Sequence, residues 1–296
     1  MSAPDETEIE ASRAPLLDHL TELRTRLIVS VVSLFVGFAV CFAFAQQILE
    51  ILIHPWDVAS SLVALQKGGK HANPIDLLMA LSPFSTTVAP DATPVKLIFT
   101  APLELFFAKI KLAGFGAIAL MFPVLAYQVY RFVAPGLYKR ERKAFLPFLL
   151  ASPLLFMLGA ALVYFVMLPF VLWFSLSQQF VGGNIPVESM PKVSEYLSLV
   201  TTLIMGFGLC FQLPVVLTLL GLVGIINSGL LISGRRYAIL GIAILAAVVT
   251  PPDPISMLML IVPLVMLYEV SIWCVKLIEV RRRKDEEAEA REIAAT

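Results

Sequence analysis

The stretch Phe145–Phe174, FLPFLLASPLLFMLGAALVYFVMLPFVLWF, carries no charged residue along its whole length. An α-helix rises about 1.5 Å per residue and the hydrocarbon core of a bilayer is about 30 Å thick, so about 20 such residues cross it. This stretch is a membrane span, and it sets the class of the chain. Five more runs read the same way, at about 27–45, 105–133, 197–226, 237–250 and 255–275. Composition agrees: 58% of the 296 residues are hydrophobic and 15% charged, with a mean hydropathy of +0.86. Soluble domains hold about 45–50% apolar and about 25% charged residues. The expectation is an all-α integral membrane protein of six transmembrane helices with both termini on one side.

Sixteen of the 22 Lys and Arg fall in segments that are cytoplasmic if the termini are cytoplasmic, and the positive-inside rule therefore selects that orientation. The domains follow. Residues 1–26 form a cytoplasmic N-terminal amphipathic helix, 27–275 the membrane domain, and 276–296 a cytoplasmic charged tail. Within the membrane domain, 46–104 and 175–196 are outer loops, and 134–144 and 227–236 cytoplasmic ones. The 46–104 segment carries six prolines from Pro55 to Pro102 and reads as a cap without regular structure, except that DVASSLVALQ (57–66) suits an amphipathic helix lying on the membrane. The last two spans read as short. Fourteen residues separate Arg236 from Pro251, about 21 Å of helix, and 14 separate Pro254 from Glu269.

Several function classes drop out. The formal net charge is zero, so no basic field points to nucleic acid. No phosphate-binding loop, HExxH or GxSxG motif is present. Cys41, Cys210 and Cys274 lie far apart in apolar runs, and His19, His54 and His71 are scattered, so neither metal nor cofactor is expected. The acidic start MSAPDETEIEAS has no apolar core and reads as no cleavable signal. A polytopic secondary transporter is the alternative class. It calls for a mid-membrane site and internal repeats, and neither is visible.

Polar residues near or within the spans are the functional candidates: Glu104, Gln128, Gln212 and Glu269. At the cytoplasmic side stand two carboxylates. In PLLDHLTELRTRL (15–27), Leu16, Leu20, Leu23 and Leu27 mark one helical face, while Asp18, Glu22 and Arg26 mark another. Glu22 either pairs with Arg26 at i,i+4 or awaits a ligand. In YKRERK (138–143), Glu141 sits inside a basic run, yet its helical neighbours Leu137, Tyr138, Ala144 and Phe145 are all non-basic. It either stabilises the start of span three through the helix dipole or serves as a docking point for cations.

These motifs resemble the TatC family of the twin-arginine protein translocase. HLTELRTRL (19–27), YQVYRFVAPGLYKRERK (127–143), MGFGLCFQLPV (205–215) and TPPDP (250–254) stand in the family's order around the spans. The resemblance implies a cup-shaped, six-helix receptor in the bacterial inner membrane that catalyses no covalent reaction. It implies binding of twin-arginine signal peptides on folded precursors, TatA- and TatB-type single-span partners, self-association in a multimeric complex, and the proton-motive force as energy source. By position it assigns signal binding to Glu22, Arg24, Phe132 and Glu141, outer-side function to Pro55 and Asp253, and partner-helix contact to Thr250 and Met257. Where the family often carries a buried Glu in span four, this chain has Gln212. Ala247 and Met257 make its partner-docking cluster less polar than is usual in the family.

Overall fold

The computed structural model describes residues 4–67, 97–133, 141–177, 191–250 and 254–295. Among them the chain is helical, apart from turns and a single parallel bridge between Ile98 and Lys192. The helices are α1 Pro4–Ala43, α2 Ala45–Lys67, α3 Glu104–Val133, α4 Glu141–Leu162, α5 Leu168–Ser177, α6 Val193–Cys210, α7 Leu213–Leu222, α8 Ser228–Ser233, α9 Arg235–Val249 and α10 Pro254–Ala295. Five segments are long and apolar enough to cross a membrane: Leu20–Ala43, Glu104–Phe132, Leu149–Leu176, Val193–Leu222 and Ser256–Lys284.

The N-terminal amphipathic helix runs straight into the first span as one helix of 40 residues. Two boundaries differ from the sequence reading. The segment expected to be an irregular cap starts as α2, 23 residues long, which packs on α3 and α5 and buries Leu52, Trp56 and Ala59 instead of lying flat. Residues 68–96 lie outside the described set. The last helix is not short: α10 runs unbroken for 42 residues through the expected tail. Its apparent end at Glu269 arose from a charge that Arg235 of α9 neutralises at 2.7 Å. Farther along, the Glu279 carboxylate accepts from the Ser228 N–H (2.7 Å) and hydroxyl (2.5 Å), which ties α10 to the start of α8. The fifth expected span is short, as read: α9 has 15 residues, about 22 Å of helix.

The core is built around close approach of α4 and α6. A Cβ on Gly208 would lie 2.5 Å from the Phe156 ring, and one on Gly159 would lie 2.9 Å from the Phe211 ring. Each helix thus offers a glycine notch to the other's phenylalanine, and Phe156 is 1% exposed. Phe122 of α3 stacks on Phe156 with ring centroids 4.2 Å apart, extending the contact to a third helix.

Prolines shape the rest. A proline cannot donate to the carbonyl four residues earlier, so each one releases an acceptor. Pro169 follows a π-turn, Val163–Met167, in which the Leu168 N–H reaches back to the Val163 carbonyl. Pro55 lies inside α2 and leaves the Ile51 carbonyl without its helical donor. The Tyr164 hydroxyl, carried on that π-turn, donates to this carbonyl at 2.7 Å. The Tyr196 hydroxyl of α6 donates to the adjacent Leu52 carbonyl at 2.6 Å and meets the Trp56 ring edge-on at 5.5 Å. Two tyrosines therefore hold the proline-containing helix against the bundle.

This pairing predicts a coupled effect. Tyr164→Phe should destabilise the protein by about 1 kcal/mol by orphaning the Ile51 carbonyl. In a Pro55→Ala background, where the backbone donor returns, the same change should cost much less. Thermal unfolding in detergent of the four variants of this cycle checks the prediction, and an equal loss in both backgrounds would contradict it.

Candidate functional site

Helices α1 and α3 pack side by side and antiparallel. Gly37 approaches Ala117 and Met121, and Gly116 approaches Cys41. Along α1 the half-buried Glu22, Arg26, Ser30 and Ser33 and the buried Gly37 and Cys41 form one stripe at i+3/i+4 spacing turned towards α3, with Leu34 and Phe38 half-buried beside it. Leu20, Leu23 and Leu27 point away and are 58%, 41% and 61% exposed. At this end of α1, then, the polar stripe faces the neighbouring helix, and the leucines remain exposed.

Within that stripe the Arg26 guanidinium (Nη2) donates to Glu22 Oε1 at 2.9 Å. The Glu22 side chain keeps 31% of its surface exposed and that of Arg26 keeps 19%. Arg26 lies eleven positions before Gly37, and the same step along α3 from Ala117–Met121 leads to positions 128–132. Gln128, which is buried, and Phe132, which is half-buried, thus lie at the same end of the seam as the Glu22–Arg26 pair. Arg24 is exposed nearby on α1. Arg131 lies over the Tyr127 ring at 5.8 Å, adding a second guanidinium to this end. Glu141 is the first residue of α4, but its side chain lies outside the described set, as does the whole of Asp253.

A second polar feature occurs where the fourth span breaks. Pro214 stands at the start of α7 and cannot donate to the Cys210 carbonyl, so α6 tightens and ends at Phe211–Gln212. The Gln212 side chain crosses to α4. Its Nε2 donates to the Ser152 carbonyl at 2.9 Å, and the Ser152 hydroxyl donates to Gln212 Oε1 at 2.7 Å. The pair floors a groove of about 230 Å³ lined by Phe122, Tyr130, Leu149, Val216 and Leu219. This amide is satisfied within the chain and needs no charge to hold α4 against α6.

The other candidates are more deeply placed. Pro55 is buried within α2, beside the carbonyls of Ile51 and Leu52 that the two tyrosines bond. Thr250 is 6% exposed, and its hydroxyl donates to the Ala246 carbonyl at 2.8 Å. Met257 packs half-buried on the core. Glu104 does more than favour a helix start: it accepts from the Ser194 hydroxyl at 2.5 Å and the Thr100 N–H at 2.8 Å, joining the starts of α3 and α6. No group of three or more His, Cys, Asp or Glu side chains is arranged to hold a metal among the described residues.

Comparison with known proteins places this architecture. Residues 18–263 match the family model for the Sec-independent protein translocase protein (TatC). A TatC of Magnetococcus marinus is 38% identical over 283 residues, covering 96% of this chain and 92% of that protein. A TatC of Aquifex aeolicus is 34% identical over 271 residues, covering 92% and 98%. A crystal structure of a twin-arginine translocase receptor TatC superposes with a TM-score of 0.66 at 34% identity, over 88% of this chain and 99% of the other. With a family match over most of its length, and with bacterial relatives and a solved structure that agree along nearly the whole chain, this multi-pass protein belongs to the TatC family of the Sec-independent protein translocase.

Proposed function

We propose that the chain is the signal-reading receptor of a twin-arginine translocase, and that Glu22 and Glu141 hold the two signal arginines. The observation that carries this reading is the Glu22 carboxylate. It already binds a guanidinium at 2.9 Å, yet it remains about one-third exposed at the end of the α1–α3 seam. A planar guanidinium engages a carboxylate through two parallel hydrogen bonds, which a lysine ammonium cannot reproduce. Phe132 and Arg24 flank the same end.

In this reading the five long spans and the short α9 form a six-span, cup-shaped body with both termini in the cytoplasm of a bacterial inner membrane. Folded precursors deliver the signals. TatA- and TatB-type single-span proteins assemble on the body, which self-associates into a multimer, and the proton-motive force drives export. Thr250 and Met257, at the α9–α10 turn, mark the region of partner contact through its surroundings, since the Thr250 hydroxyl is already engaged. Pro55 and Asp253 serve the outer side.

Three measurements test the proposal. A charge-assisted contact contributes about 1.5–3 kcal/mol, so Glu22→Ala or Glu141→Ala should each weaken binding of a twin-arginine signal about ten-fold or more. Each should also erase the preference over a twin-lysine signal while leaving the protein in the membrane; wild-type affinity and preference in both variants would overturn the site. Gln212→Leu should lower the thermal stability of the bundle by about 1 kcal/mol by removing both bonds to Ser152, besides impairing assembly with a partner helix or an inserted signal, and normal complexes with a normal export rate would reduce Gln212 to a packing residue. Because α9 spans about 22 Å against about 30 Å of hydrocarbon, the bilayer beside it should be thin. Single-cysteine labelling along 237–249 should then reveal water-accessible positions near both ends, whereas protection at full membrane depth would rule this out.

A further inference from the structure

Among the described residues, two buried side-chain polar atoms have no hydrogen-bond partner: Arg26 Nε and Gln128 Oε1. One is a donor and the other an acceptor. Buried polar groups are almost always paired in native proteins, so an isolated pair of orphans calls for a cause. Gln128 is 8% exposed, and the α1–α3 register places it at the near edge of the positions opposite Arg26. An arginine side chain is long enough to cover a helical turn of about 5.4 Å. In the resting protein, however, its guanidinium is directed along α1 to Glu22.

We propose that Arg26 occupies the Glu22 carboxylate as an internal stand-in for a signal guanidinium, and that Gln128 receives Arg26 when the signal displaces it. The proposal rests on Glu22 being a signal contact and deepens that reading. It explains why both orphans occur at this end of the seam. A buried carboxamide oxygen without a partner accepts the released guanidinium, so displacement leaves no cation stranded between the helices. Exchange of one guanidinium for another also keeps the charge at Glu22 balanced throughout, which spares the seam an uncompensated carboxylate. Gln128 is on this view a positioning residue that never touches the signal.

The test measures binding of synthetic twin-arginine signal peptide to the full chain in lipid nanodiscs. The variants are Arg26→Gln, Gln128→Leu, their combination, and Glu22→Ala. Gln128→Leu should weaken binding about three- to ten-fold, because displaced Arg26 loses its acceptor. Adding Arg26→Gln to Gln128→Leu should then raise affinity about two- to five-fold, since Arg26 without a receiver is only a competitor for Glu22. A Gln128 that merely supports the fold, or that touches the signal itself, predicts instead the same loss from Gln128→Leu whether or not Arg26 is present. A fall in affinity on adding Arg26→Gln, or an equal effect of Gln128→Leu with and without Arg26, overturns the proposal. Parental affinity in Glu22→Ala would instead remove the signal contact on which it rests.

Discussion

A proline inside a helix leaves the carbonyl four residues earlier without its helical donor, so another group must supply the partner. The structure is organised by how it meets this demand where prolines interrupt helices. Pro55 frees a carbonyl in α2, and tyrosines from a π-turn and from α6 converge there. Pro169 is accommodated by the π-turn that also carries Tyr164 to that carbonyl. Pro214 splits the fourth span into α6 and α7, and the side chain at the split, Gln212, bonds both ways with Ser152. Each interruption thus becomes a cross-link between helices that apolar packing alone would leave free to slide. The glycine notches facing Phe156 and Phe211 add fixed register between α4 and α6.

A frame held in this way can carry paired charge. Glu22 and Arg26 stand in the first turns of the Leu20–Ala43 span, and Arg235, which opens α9, neutralises Glu269 midway along Ser256–Lys284. Reading a guanidinium in the first turns of a span is physically reasonable. The carboxylate is shielded enough for a bidentate contact to exceed its value in water, and open enough for exchange. Gln212, neutral and satisfied, makes the groove beside it a place for hydrogen bonding and apolar contact instead of proton transfer.

Much of this was readable from residue order. Uninterrupted apolar runs located the long spans, and the 14 residues between Arg236 and Pro251 announced the short α9. The i,i+4 spacing of Glu22 and Arg26 named the pair that forms. Other features depend on partners distant in sequence. Pro55 looked like a breaker because nothing nearby reveals that Tyr164 and Tyr196 would satisfy the freed carbonyl. Glu269 looked like the end of a span because Arg235, its partner, is 34 positions away. Residue order shows two faces on the start of α1 without saying which one packs; α3 takes the polar stripe and leaves the leucines exposed, and this is what brings Gln128 to the site.

The central claim is that a signal arginine replaces Arg26 on Glu22. The most direct measurement is a solid-state NMR distance between signal peptide labelled with 15N in its two arginine guanidinium groups and receptor labelled with 13C in its glutamate carboxyls. Dipolar dephasing corresponding to a separation of about 4 Å, lost in part in Glu22→Gln, is the predicted result for a guanidinium–carboxylate contact. Bound peptide with no such dephasing, or dephasing unchanged in Glu22→Gln, would contradict it.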